Sequence, residues 1–286
     1  MTPTPTSTQP SFGDRVSAAA VALGPVCAGI DPWGELLERW DLPDNADGLH
    51  TFSDICVEAF AGTVPVIKPQ VAFFERHGSA GIAALEHLIA TARDQGLIVV
   101  ADAKRGDIGT TSAAYAEAWL SASSPLAVDA MTVHPYLGYG ALEPFIKVAA
   151  ENHNGVIVVT RSSNPEGRSL QEAITANGSS VENSILSDIA SSNASPGIPP
   201  GTVGAVIGAT LPPSHFPLSQ LGGVILALGI GAQGAGPADV ADRFAGCKPG
   251  TVLASASRSL LSLGPDVSRL RQAAADLAGE LSALMA

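Results

Sequence analysis

Residues 97–109 read LIVVADAKRGDIG. An apolar run from Leu97 to Ala101 leads directly into Asp102, Lys104, Arg105 and Asp107. Apolar residues without alternation are what a strand covered on both faces requires, and the charges gather where such a strand would end. Seven further runs share this character: VCAGID (26–31), VPVIK (64–68), LAVDAMTVH (126–134), GVIVVT (155–160), VGAVIGAT (203–210), GGVILAL (222–228) and GTVLAS (250–255). Helical patterns lie between several of them. In SAGIAALEHLIATARDQG (79–96), Ser79 is placed to cap a helix with Ile82, Leu85, Leu88, Ile89 and Ala92 on one face, and Gly96 to end it. A last helix carries Val267, Leu270, Ala274, Leu277 and Leu281 at similar spacing. Eight strands alternating with helices predict an α/β fold, a single-domain (β/α)8 TIM barrel. A doubly wound open sheet shares the alternation and is the alternative.

The 286 residues suit one such barrel, and 46% hydrophobic content is ample for its core. MTPTPTSTQPSF (1–12) reads as a disordered tail preceding a catalytic domain over 13–286. Residues 161–202 are rich in Ser, Asn, Gly and Pro, and SSNASPGIPPG (191–201) reads as a surface insertion, because the strand pattern resumes at once. A net charge of −12 argues against nucleic acid or an anionic membrane as partner. Neither an eighteen-residue apolar stretch nor a basic start followed by an apolar core occurs, so a cytoplasmic protein is expected. Cys27, Cys56 and Cys247 show no metal-ligand spacing and no disulfide framework, and read as reduced thiols in packing roles.

In a parallel barrel the C-terminal strand ends carry the chemistry. Asp31, Lys68, Asp102 with Lys104, His134, Ser162 with Ser163, and Arg258 all fall there. The chain has four lysines, Lys68, Lys104, Lys147 and Lys248, so two at strand ends are informative. Asp102 and Lys104 are two apart and point to one side of an extended strand, while Arg105 points to the other and reads as structural. Gly106 turns the chain before Asp107. A lysine flanked by carboxylates is favoured as its ammonium, which suits a proton donor better than a Schiff-base nucleophile. After the seventh strand, LGIGAQGAG (228–236) lets backbone N–H groups approach an anion, with Gln233 as an amide donor. Arg258 after the eighth supplies the charge of a phosphate site. A buried ion-pair network and a plain tight turn are the non-catalytic alternatives.

The Asp-x-Lys-x-x-Asp motif of DAKRGDIG, with Lys68 ending the preceding strand, resembles the orotidine 5′-phosphate decarboxylase family. RSSNPEG (161–167) matches the TSNP-type segment of its longer bacterial branch. The resemblance spans Asp31 to Arg258 and implies metal- and cofactor-independent decarboxylation of orotidine 5′-monophosphate, the last step of de novo pyrimidine nucleotide synthesis. It implies a catalytic array of Lys68, Asp102, Lys104 and Asp107, with Lys104 protonating C6, Asp102 beside the substrate carboxylate and Lys68 near the ribose. Asp107 and Thr111 are implied to enter the neighbouring subunit's site, so a homodimer is expected. By the same analogy Asp31 binds ribose, Ser163 (or Ser162) reads the pyrimidine edge, and Gln233 with Arg258 holds the phosphate. His134 has no counterpart and reads as a packing or capping residue. A magnesium-dependent sugar-phosphate decarboxylase or synthase shares the motif but places a carboxylate where Lys68 stands. A non-catalytic phosphate-binding barrel would leave the array unexplained.

Overall fold

The computed structural model describes residues 9–212, 215–231 and 234–285. Its eight strands are β1 (Val26–Ile30), β2 (Val66–Pro69), β3 (Ile98–Arg105), β4 (Ala130–Val133), β5 (Gly155–Arg161), β6 (Gly201–Gly208), β7 (Gly223–Leu228) and β8 (Val252–Ala256). They follow sequence order round a closed parallel barrel. The pairing of β1 with β8, from Val26 opposite Ala254, shuts the sheet and excludes the open alternative. The helices are α1 (Phe12–Leu23), α2 (Gly34–Arg39), α3 (Ala46–Phe60), α4 (Ala72–Glu75), α5 (Gly78–Asp94), α6 (Gly109–Leu120), α7 (Glu143–Glu151), α8 (Arg168–Gln171), α9 (Val181–Asn193), α10 (Pro237–Arg243), α11 (Arg258–Leu261) and α12 (Val267–Leu284). Among the described residues no helix is long and apolar enough to cross a membrane.

Two apolar layers hold this arrangement. The larger lies between the sheet and the surrounding helices, the smaller inside the barrel. The inner layer joins Cys27, Val66, Ile98, Val100, Ile157, Val206 and Leu253 to Phe12, Val16 and Ala20 of α1. Those three recur every fourth residue on one helical face. Phe12 fits because Gly155 has no side chain, as a Cβ there would overlap the ring. Arg15 pairs with Asp129 and donates to the His153 carbonyl at 3.2 Å, while the other Asp129 oxygen accepts the Val99 N–H at 2.9 Å. Apolar and ionic contacts thus fix α1 across the N-terminal end of the barrel, leaving chemistry to the opposite end.

Four expectations need correction. Ser11 and Phe12, assigned to the tail, are buried, and Ser11 caps α1 by accepting the Asp14 N–H at 3.1 Å; residues 1–8 of that tail lie outside the described residues. Helix α5 begins at Gly78 without a side-chain cap, so Ser79 lies inside it; Leu85, Leu88, Ile89 and Ala92 are buried as expected while Ile82 is only half-buried, and Gly96 takes a positive φ just beyond the helix end. The stretch 191–201 is a surface loop only over 194–200, where it links α9 to β6. Its first three residues complete α9, and Asn193 bonds the Val203 N–H and the Val203 and Leu221 carbonyls at 2.8–3.0 Å. Finally, β3 does not remain regular to its end, as described next.

Candidate active site

At the C-terminal mouth, β2 and β3 deliver Lys68 and Asp102 inward, and both are buried at 4% and 6% exposure. Asp102 is the hub. Its Oδ2 accepts from Lys68 Nζ and from Gln70 Nε2, each at 3.0 Å. Its Oδ1 accepts from Lys104 Nζ at 2.6 Å and from the Thr132 hydroxyl at 2.9 Å. Four donors on one buried carboxylate leave it little rotational freedom. Burial alone would raise the Asp102 carboxyl, but the Lys68 and Lys104 ammonium groups outweigh it and hold it well below the usual carboxylate range. Burial alone would lower Lys68, yet Asp102, Asp31 and Cys27 together hold its ammonium above the usual lysine value. The two lysines differ in access: the Lys104 side chain is 45% exposed, against 6% for Lys68. Lys68 fixes the carboxylate, and Lys104 is the cation that a ligand in the mouth can meet.

The expected same-side placement of Asp102 and Lys104 is observed, but not through a regular strand. Ala101 lies opposite Met131 and Arg105 opposite Val133, so β3 advances four residues while β4 advances two. The bulge includes Lys104 at φ +45°. Bulges of this kind re-aim side chains beside active sites. Arg105 faces away, as expected. It pairs with Glu75, donates to the Ala103 carbonyl at 2.9 Å, and lies over the Tyr115 and Trp119 rings at 5.6 and 5.9 Å. His134 donates its N–H to the Arg105 carbonyl at 2.9 Å. Its ring sits where a Cβ on Gly106 would lie, 2.7 Å from the ring atoms. It packs the turn.

Asp31, at the end of β1, accepts from the Ser257 hydroxyl at 2.5 Å through Oδ2. Its Oδ1 is buried without a hydrogen-bond partner among the described residues. Ser162 is occupied within its own loop. Its hydroxyl accepts from Gln171 Nε2 at 2.8 Å and its N–H donates to Gln171 Oε1 at 3.1 Å. Ser163 is half-buried, with its Cα against Gly208 at the end of β6. After β7, Gly229, Gly231 and Gly234 all have positive φ, a path that other residues adopt with strain. Gly231 abuts Ser259, which brings this loop against the start of α11 and its exposed first residue, Arg258. The Arg258 guanidinium forms no hydrogen bond or ion pair to a described residue. Gln233 lies outside the described residues.

Asp107 is not part of the array within one chain. It is half-buried, its Oδ1 accepts the Ile108 N–H at 2.8 Å, and it bonds none of Lys68, Asp102 or Lys104. Thr111 is exposed in the first turn of α6. Sequence reasoning missed Gln70, Thr132 and Ser257. The first could have been found as the residue two beyond Lys68, on the same side of β2. Among the described residues no group of three or more His, Cys, Asp or Glu side chains is placed to hold a metal ion.

A closed parallel barrel whose strand ends interlock two lysines through one carboxylate defines a barrel enzyme with its reactive groups at the C-terminal mouth. Within that class, the chain belongs to the orotidine 5′-phosphate decarboxylase / HUMPS family, whose profile matches residues 25–273. It is 48% identical to the orotidine 5′-phosphate decarboxylase of Corynebacterium glutamicum, covering 94% of this chain and 97% of that one. The Streptomyces coelicolor enzyme of the same name is 49% identical, at 94% and 96% coverage. A crystal structure assigned to this enzyme from Streptomyces avermitilis superposes with a TM-score of 0.90 at 48% identity, covering 97% of this chain and 96% of that one.

Proposed function

We propose that this site converts orotidine 5′-monophosphate to uridine 5′-monophosphate and carbon dioxide without a metal or organic cofactor, with Lys104 as the proton donor. The observation that carries the reading is the interlocked Lys68–Asp102–Lys104 array at the mouth, and the decarboxylase relatives at 48% identity support the substrate. Loss of carbon dioxide leaves the bond pair on C6 of the pyrimidine. An ammonium held at that carbon stabilises the growing negative charge and gives its proton to form the new C6–H bond. The resulting amine recovers a proton from water. Asp102 faces the departing carboxylate with like charge, and that repulsion vanishes as neutral carbon dioxide leaves. Each 1.4 kcal/mol, about, removed from the barrier is worth tenfold in rate, so a rigid array is more valuable than a mobile one.

Asp31 offers its unpartnered oxygen to ribose, Ser163 meets the pyrimidine edge, and Arg258 with the β7 loop and Gln233 takes the phosphate. The active unit is a homodimer in which Asp107 and Thr111 complete the neighbour's site. Two observations support that: both residues stand outside the array of their own chain, and Ile108, Tyr136 and Leu137 are exposed large apolar side chains on the same rim. The magnesium-dependent sugar-phosphate reading fits less well, because the buried Lys68 ammonium would repel a divalent cation at that strand end.

The test is conversion of orotidine 5′-monophosphate by purified protein in EDTA and in magnesium. Equal rates of uridine 5′-monophosphate formation are expected. No turnover, or turnover that requires magnesium, would overturn the reading.

A further inference from the structure

We propose that Thr132 is a positioning residue for decarboxylation, its hydroxyl holding Lys104 and Asp102 in the geometry that protonates C6. The inference rests on the function proposed above. It starts from the bulge in β3. Between the pairs Ala101–Met131 and Arg105–Val133 the ladder is interrupted, so the Lys104 N–H has no place in it. That N–H donates instead to the Thr132 hydroxyl oxygen at 3.0 Å. The same hydroxyl donates its one proton to Asp102 Oδ1 at 2.9 Å, and that oxygen also accepts Lys104 Nζ at 2.6 Å.

These bonds form a closed ring: Lys104 backbone, Thr132 hydroxyl, Asp102 carboxylate, Lys104 side chain. A hydroxyl has one proton and two lone pairs, and an ionised carboxylate only accepts, so the directions are fixed. Thr132 has no exposed surface, and water is not at hand to substitute. Lys104 sits at φ +45°, a conformation that L side chains rarely adopt and that persists only where the surroundings determine it. Within the ring, the hydroxyl is the group that ties this backbone to the carboxylate beneath it.

Without the hydroxyl, the Lys104 backbone can relax and its ammonium moves from the reacting carbon. The ribose, base and phosphate contacts assigned to Asp31, Ser163 and Arg258 do not pass through Thr132. The loss should therefore fall on kcat and spare KM. A general packing defect would instead lower thermal stability and affect both.

The experiment compares Thr132→Val, Thr132→Ala and Thr132→Ser with the wild type, measuring kcat, KM, uridine 5′-monophosphate affinity and Tm. Thr132→Val and Thr132→Ala should lower kcat by about 10- to 100-fold, the scale of a reactive group displaced by about 1 Å. KM and nucleotide affinity should stay within about threefold, and Thr132→Ser should restore kcat to within a similar factor. Should Thr132→Val not fold, the Ala and Ser pair gives the same reading. A kcat for Thr132→Ala near that of the wild type overturns the proposal, as does a loss equal in the Ser and Ala variants or one confined to KM. A wild type that does not decarboxylate the substrate overturns the function beneath it instead.

Discussion

At the mouth of the barrel, side chains from β2, β3, β4 and the residue just after β2 bond one another, whereas Ser162 after β5 bonds within its own segment and Arg258 after β8 faces outward. Lys68, Gln70, Lys104 and Thr132 converge on Asp102. On the far side, Ser162 pairs with Gln171 of its own segment, and Arg258 stands exposed on α11. Under the proposed function, the contrast separates two tasks. Protonating a carbon needs a group fixed in advance, since a small displacement is costly in rate. Gripping a phosphate can await the ligand, whose binding energy then orders the loops.

The strongest way to break this division is to split the array across chains. Lys104→Ala and Asp107→Ala should each be inactive alone. Mixed under conditions of subunit exchange, they should recover about a quarter of wild-type activity, since half the dimers are then mixed and one site in each is whole. No recovery would count against the crossing of Asp107. On the far side, Arg258→Ala should raise KM by about 10- to 100-fold, the loss of one charged hydrogen bond, with a smaller effect on kcat. An unchanged KM would remove Arg258 from the phosphate site.

The smallest expected effect concerns the stability of the buried pair. Lys68 is held above its usual value, so its contribution is fully present below the unfolded-state value, about pH 10.4, and is lost as pH rises through the higher folded one. Asp102, held low, contributes fully above about pH 3.9 and loses this as pH falls toward its folded value. In urea unfolding, the stability difference between wild type and Lys68→Met should be flat from about pH 6 to 9 and shrink above about pH 10.4. A difference unchanged to pH 11, roughly, would contradict the buried ion pair as described.

Much of this was readable in the sequence because parallel strands buried on both faces leave long Val- and Ile-rich runs, and all eight were visible. Lys68, Asp102 and Lys104 stood out because charges are costly at such positions. Other features hid for physical reasons. The apolar face of α9 (Val181, Ile185, Leu186 and Ile189) is diluted by Ser, Asn and Asp, so a docked helix resembled a polar loop. The plug residue Phe12 follows a Pro- and Thr-rich start and owes its place to Gly155, 143 positions away. Thr132 is a single polar residue whose meaning depends on a bulge in a neighbouring strand, and register shifts leave no periodic trace. Asp107 was legible as a motif member, and its separation from the array of its own chain follows the resemblance's implication.

Under the proposed function, Lys104, held by Asp102, carries the chemical step and not the binding of nucleotide. Single-turnover decarboxylation and uridine 5′-monophosphate affinity, measured on the same preparation of Lys104→Ala, test it most directly. The rate should fall by at least about 10³ while affinity stays within about tenfold. A variant that binds nucleotide and still turns over near the wild-type rate would contradict it.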